Sequence, residues 1–112
     1  MGWASDRQDI ADCLSGITGI TGHAYRPSVV GMGSAWPVLD RANRRPGGWQ
    51  ATWKIVIALS GDEATATRRC DDLIPTALPT LDAVGYVETV MPVALTTDSG
   101  DVYALEITVR SE

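Results

Sequence analysis

The chain has 112 residues, of which 45% are hydrophobic and 21% charged, with a formal net charge of −5. That length fits one domain spanning 1–112, large enough to bury roughly two-thirds of its extended surface in a single core without staples. The recurrence of apolar residues along most of the chain excludes general disorder, and the lack of any run of about 18 apolar residues excludes a membrane-spanning helix.

The first residues lack the basic start and apolar stretch of a secretory leader, so synthesis and use in a cytoplasm are expected. Gly2 would suit myristoylation, but Asp6 stands where that motif takes Ser or Thr. Charge is uneven along the chain. Residues 13–61 carry one acid, Asp40, against Arg26, Arg41, Arg44, Arg45 and Lys54, whereas the flanks are acidic. Such a domain can present two faces of opposite sign, which head-to-tail or stacked assembly would use; ordinary surface variation explains the same split.

The first element predicted is a helix over 5–15. Ser5 and Gln8 have the spacing of a capping box, Asp6 and Asp9 suit the first turn, and Ile10, Cys13, Leu14 and Ile17 share one face. Trp3 is placed to staple back onto that face. A glycine-punctuated turn follows, then a short strand at His23–Arg26 stopped by Pro27, a loop over 27–34, and a second short strand at Ala35–Leu39. Pro37 restricts that strand to an edge or a strand start. Residues 40–48 read as a polar, arginine-rich loop. The clearest strand is next: Trp49, Ala51, Trp53, Ile55, Ile57 and Leu59 alternate with their neighbours at the two-residue period of a strand with one apolar face.

Asp62 is the expected cap of a second helix over 62–73, with a kink or restart over 76–83, because Pro75 and Pro79 each remove a donor and clash with the preceding turn. A terminal hairpin pairs the alternation Val87 to Leu95 with Tyr103 to Val109 across a turn at Asp98–Asp101. The order α-β-β-β-α-β-β predicts an α+β fold: a mostly antiparallel sheet with two helices packed on one face.

No arrangement of residues points to catalysis. His23, the only histidine, has no cysteine nearby, and two widely spaced cysteines with one histidine do not make a zinc site. Cys13 and Cys70 read as small buried hydrophobes, able to form a disulfide only if their helices touch. No serine sits in a nucleophile elbow, and Gly31-Met32-Gly33-Ser34 lacks both the lysine of a P-loop and the spacing of a dinucleotide fingerprint. Asp62/Glu63 suits a helix start, and Asp71/Asp72 lies three residues from Arg68 and Arg69, the spacing of helical ion pairs. No catalytic residue, cofactor or metal ligand is therefore expected.

The best functional candidate is the cluster Arg41, Arg44 and Arg45, with Arg26 on another strand end. Arginines so grouped can touch phosphate without sequence specificity or pair with acids of a neighbouring subunit; a solvated loop is the plainer reading. Trp36 and Trp49 flank the cluster and suit either a protein interface or the rim of the core, while Trp53 belongs in the core.

Several stretches resemble the tail terminator proteins of actinobacterial siphophages: Asp9-Ile10-Ala11-Asp12-Cys13-Leu14, Gly22-His23-Ala24-Tyr25-Arg26-Pro27, Ala35-Trp36-Pro37, Thr52 to Leu59 entering a helix, and Pro92 to Asp101 leading into Ala104-Leu105-Glu106-Ile107-Thr108. The resemblance covers nearly the whole chain but rests on scaffold patterns, and the paired prolines depart from the smooth second helix expected of that family. It implies a virion protein, assembled in the host cytoplasm, that forms a homo-hexameric ring at the head-proximal end of the tail. Such a ring caps the tail-tube protein, ends polymerisation and offers a joining surface to head-completion or connector proteins. DNA passes through the lumen without sequence-specific binding, and no membrane is involved. Arg26, Trp36, Arg41, Arg44, Arg45 and Trp49 are then candidate interface or lumen residues. Two alternatives stay open: a connector or head-completion ring of the same particle, and a small ligand-binding domain resembling a ferredoxin-like regulator, with the glycine-rich loop as its site.

Overall fold

A computed structural model describes residues 3–98 and 100–111. It is an α+β fold with element order α1 (Trp3–Ser15), β1 (Thr21–Gly22), β2 (Ser34–Arg45), β3 (Gly48–Ser60), α2 (Glu63–Leu81), β4 (Tyr86–Thr97) and β5 (Gly100–Arg110). The strands form one sheet in the order β1-β2-β3-β5-β4. Every pairing is antiparallel except β1 with β2. The predicted class and order are those observed.

Both helices cover the same sheet face. Ile10 and Leu14 of α1 and Ala66, Leu73, Ala77 and Leu81 of α2 close over Trp53, Ile55 and Ile57 of β3 and Leu105, Ile107 and Val109 of β5. The two-residue alternation of β3 and β5 delivers that apolar row, and each fully buried aliphatic side chain contributes about 1.5–3 kcal/mol. The opposite face carries a smaller apolar cluster of Trp36, Val56 and Ala104, flanked by Val30, Val93 and Leu95. The segment 23–33 lies over that cluster.

Several local expectations are corrected. The first strand is Thr21–Gly22 rather than His23–Arg26. The His23 N–H donates to the Ala35 carbonyl at 2.8 Å, and the chain then leaves the sheet: Arg26 stacks on Trp36 and donates to the Thr96 carbonyl at 2.7 Å. Because β1 pairs only with Ser34 and Ala35, no described strand lies outside β2 from Pro37 onward, which is why a proline is tolerated there; the Pro37 carbonyl accepts from the Arg7 guanidinium at 3.1 Å. Gly33 has φ of +87°, and a Cβ there would strike the Gly19 carbonyl, so this corner requires glycine.

Helix α1 already includes Trp3, which places Ser5 within the helix rather than at the cap. Gln8 donates to the Asp12 carboxylate at 2.9 Å instead of reaching back. Trp3 remains 44% exposed. Helix α2 runs unbroken through Pro75 and Pro79. Both prolines are exposed, as is Asp71, so the carbonyls that lose a donor, those of Asp71 and Pro75, lie on the side water can reach. The cap at Asp62 is as predicted: its carboxylate accepts from the Thr65 N–H at 2.9 Å and the Thr65 hydroxyl at 2.7 Å. Those bonds hold its pKa below the ordinary aspartate range.

Arg68 and Arg69 form no ion pair with Asp71 or Asp72 among the described residues; the Arg69 guanidinium instead donates to the Gly19 carbonyl at 3.1 Å and ties α2 to the turn after α1. The helices do touch, but the cysteines are free. The Cys13 thiol donates to the Thr80 carbonyl at 3.2 Å, ten residues along α2 from Cys70. Burial raises the pKa of both thiols, and the charge of Asp71 adds to the effect at Cys70. In the terminal hairpin, Gly100 and Asp101 belong to β5 rather than to the turn; Ser99 lies outside the described residues.

Candidate interaction surface

The arginines predicted to sit in a loop sit on a strand. Residues Asp40 to Arg45 complete β2, and β2 returns into β3 through Pro46-Gly47, with Arg45 paired to Gly48. Proline at the second position and φ of +89° at Gly47 are the requirements of a type II turn. Composition suggested a loop because five polar residues and Pro-Gly-Gly outweighed the weak alternation. The strand is imposed instead by its pairing with β3, the most strongly patterned strand in the chain.

A bulge decides where the arginines point. The ladder shifts between Leu39 and Arg41, leaving Asp40 as the extra residue. Leu39 lies opposite Trp53 and packs on the helix-covered side, whereas Arg41 lies opposite Thr52 on the open side. Without that insertion Arg41 and Arg45 would face the helix side. With it, Arg41 and Arg45 share the open face, and Arg44 stands opposite Trp49 on the helix side. Arg45 donates from Nε and Nη2 to Gln50 Oε1 at 3.2 and 3.1 Å. Arg41 and Arg44 have no hydrogen-bond or ion-pair partner among the described residues. Asp40 turns to Lys54, which also meets Glu106, at 3.6 and 3.7 Å.

The tip of this hairpin leaves the rest of the protein behind. Ser111 closes the third strand against Ala51: its N–H donates to the Ala51 carbonyl at 2.9 Å, and its hydroxyl accepts from the Ala51 N–H at 3.0 Å. Beyond that point, Ala42–Arg45 and Gly48–Gln50 form a two-stranded arm with no third strand among the described residues. The long dimension of the molecule, 45 Å against 28 and 21 Å, accommodates this projection.

The six predicted residues therefore do not form one site. Arg26 and Trp36 lie near the start of β2, and Arg45 nine residues beyond Trp36, about 30 Å of strand away. Trp36 is 2% exposed and serves the smaller apolar cluster, with Arg26 stacked over it at 5.5 Å. This pair anchors the segment 23–33. Trp49 is 62% exposed and belongs to the arm with Arg44 and Arg45, while Arg41 stands at the arm's base, opposite Thr52. Trp53, as predicted, is in the core at 1% exposure.

Beneath the arm, on the helix side, is a cleft of about 660 Å³. Trp49, Trp53, Ile10 and Val84 supply its apolar surface, and Asp6, Asp9 and Asp82 stand around it. The antiparallel packing of the helices brings the first turns of α1 and the last turn of α2 to this end. None of the three aspartates has a cationic partner among the described residues. Sequence reading missed the cleft because Asp82 lies more than seventy residues from Asp6 and Asp9 and meets them only through helix pairing. The charge division is now spatial. The helices and their caps carry eight acids against three arginines, while the β2–β3 hairpin carries one acid against four bases.

The glycine-rich loop is spent on its own turn and the sheet. The Gly31 N–H donates to Ser34 Oγ at 3.1 Å, the Ser34 N–H to the Gly31 carbonyl at 3.1 Å, and the Gly33 N–H to the Ala58 carbonyl at 2.8 Å. Three of its four amides are thereby taken.

No protein-family model matches this chain, and no curated protein matches it. Among the described residues no helix is long and apolar enough to cross a membrane.

Proposed function

We propose that this chain is the subunit of a ring, built from six copies, that caps a phage tail tube, ends its growth and offers a joining surface to the head or its connector. The reading combines the resemblance of nearly the whole sequence to siphophage tail terminators with one structural observation: a compact α+β body carries an arm on which Arg44 has no hydrogen-bond or ion-pair partner among the described residues and Trp49 is exposed. An arm of this kind suits assembly, because an isolated two-stranded ribbon gains its stability from what it docks against. The work of the protein is then association, with no bond made or broken.

The opposite charges of helix layer and hairpin favour one polarity of assembly over its reverse, since like-charge contacts are penalised. In a closed ring, six copies of Arg41 and Arg45 would also gather a basic surface that no single chain of charge −5 possesses, compatible with non-specific passage of DNA.

The test is tube growth. Purified tail-tube protein encoded beside this chain is allowed to polymerise with and without it. Tubes that stop at a limited length and carry this protein at one end support the reading. Growth unaffected by a stoichiometric excess refutes it.

A further inference from the structure

We infer that the cleft walled by Trp49, Ile10 and Val84 and flanked by Asp6, Asp9 and Asp82 receives the arginine arm of a second copy of this chain. This rests on the ring reading and gives it a specific contact: the arm tip of one copy, with Arg44 on one face and Arg45 on the other, inserted among the aspartates of the next.

Three observations converge on a cationic occupant from another copy. The first is the electrostatics of the cleft. Asp6 answers the positive end of α1, but Asp82 caps the carbonyl end of α2, whose last turn holds no basic residue. Acid at that end is unfavourable, and an arriving cation relieves it. The second is the apolar lining. Trp49 is exposed at the cleft, and an indole face is the best aromatic surface for a guanidinium. The chain already uses this contact internally: Arg7 lies 5.0 Å from the Trp53 ring, Arg26 stacks on Trp36 and Arg110 lies 5.0 Å from the Tyr86 ring. The third is supply. The arm presents Arg44, without a partner among the described residues, and Arg45, held by a neutral glutamine, with Arg41 at its base. Asp6, Asp9 and Asp82 do not form a metal-holding group.

The contact is heterologous: the arginines of the arm and the aspartates of the cleft belong to different surfaces of one chain, with Trp49 at the border of both. Repeated with a rotation that closes, such a contact makes a ring; without closure it makes a filament. It also explains a charge division that costs a monomer something, since the arm's arginines repel one another and the aspartates do likewise.

Charge reversal tests it. Arg44→Glu with Arg45→Glu, and separately Asp9→Arg with Asp82→Arg, are compared with the unaltered chain by mass photometry over a salt series, alone and on tube ends, with circular dichroism confirming that each variant is folded. Each reversal alone is expected to weaken association more than about tenfold, and mixing the two to restore it, because only arm and cleft of opposite mutants then match. Folded variants that associate like the unaltered chain, or a mixture that fails to recover, overturn the contact. Rings that persist on tube ends in both variants overturn the contact while leaving the capping reading intact. Salt-sensitive assembly rescued by mixing, with no effect on tube growth, leaves the contact standing and removes the capping reading. A chain that stays monomeric alone and on tubes overturns both.

Discussion

The middle of β3 and its beginning belong to the same strand yet live under different physics. From Ala51 to Leu59 the strand lies between β2 and β5, with both helices above it, and Ile55 and Ile57 are fully buried. From Gly48 to Gln50 it has only β2 beside it among the described residues, and Trp49 is among the most exposed large hydrophobic residues of the chain. The alternating pattern runs through both halves without a break. What changes is whether other elements arrive to cover the apolar side, and they stop at Ala51, where Ser111 ends the third strand. A large hydrophobic residue in the body is therefore part of the folding free energy, whereas the same kind of residue in the arm is left at the surface.

That contrast can be broken by substitution, and the largest effect is expected in the body. Ile57→Ala removes a fully buried side chain beneath both helices and is predicted to cost about 2–5 kcal/mol, read by denaturant unfolding at constant slope. Trp49→Ala removes a larger side chain but is predicted to change stability by less than about 0.5 kcal/mol, while weakening self-association measured by light scattering. A loss at Trp49 comparable to that at Ile57 would show that the arm is part of the core.

Next is the triple change of Arg41, Arg44 and Arg45 to serine. It is predicted to leave the unfolding midpoint nearly unchanged and to impair ring assembly or tail joining; unchanged assembly and infectivity would remove the arm from the account. A subtler local effect is expected at Gly47→Val. A β-branched residue at φ of +89° strains the turn by about 1 kcal/mol or more. Amide exchange should accelerate at Asn43–Gln50 and remain slow at Ile55–Leu59, and uniform acceleration would contradict the separation of arm from body.

The smallest effect concerns the cap of α2. The folded pKa of Asp62 lies below its ordinary value of 3.8, because Thr65 donates to the charged carboxylate. Its contribution is therefore present above about pH 4 and fades as the pH falls through the lower, folded value. The stability difference between the unaltered chain and Asp62→Ala should shrink on acidification across that window. A difference that grows there would reverse the assigned sign.

The body was legible in the sequence because burial writes a period into it. Trp53 to Leu59 and Tyr103 to Val109 alternate, Ala66 to Leu81 repeats at helical spacing, and the fold class follows from them. The arm was only half legible. Arg41, Arg44 and Arg45 were recognisable as a group, but nothing in a polar run bounded by Pro-Gly-Gly reveals that β3 will draw it into a ladder. The bulge at Asp40, which sends Arg44 to one side and its neighbours to the other, leaves no sequence mark. Trp36 and Trp49 looked equivalent as flanking aromatics. They were separated by what lies over them: segment 23–33 covers the first, and nothing in the described chain covers the second. Helix α2 shows the converse. Two prolines four residues apart suggested a break, yet both fall on the exposed side, where the freed carbonyls face water and the buried side keeps its ladder.

The central claim is that this chain closes into a ring on the end of a tail tube, using its arm to meet the next copy. Electron microscopy of tail tubes assembled in its presence addresses that claim most directly. The account predicts a sixfold ring at one end of each tube, with the Arg44–Trp49 arm of every copy against the Asp6, Asp9 and Asp82 cleft of its neighbour. Bare tube ends beside free monomers, at concentrations where the tube protein itself has fully polymerised, would contradict it.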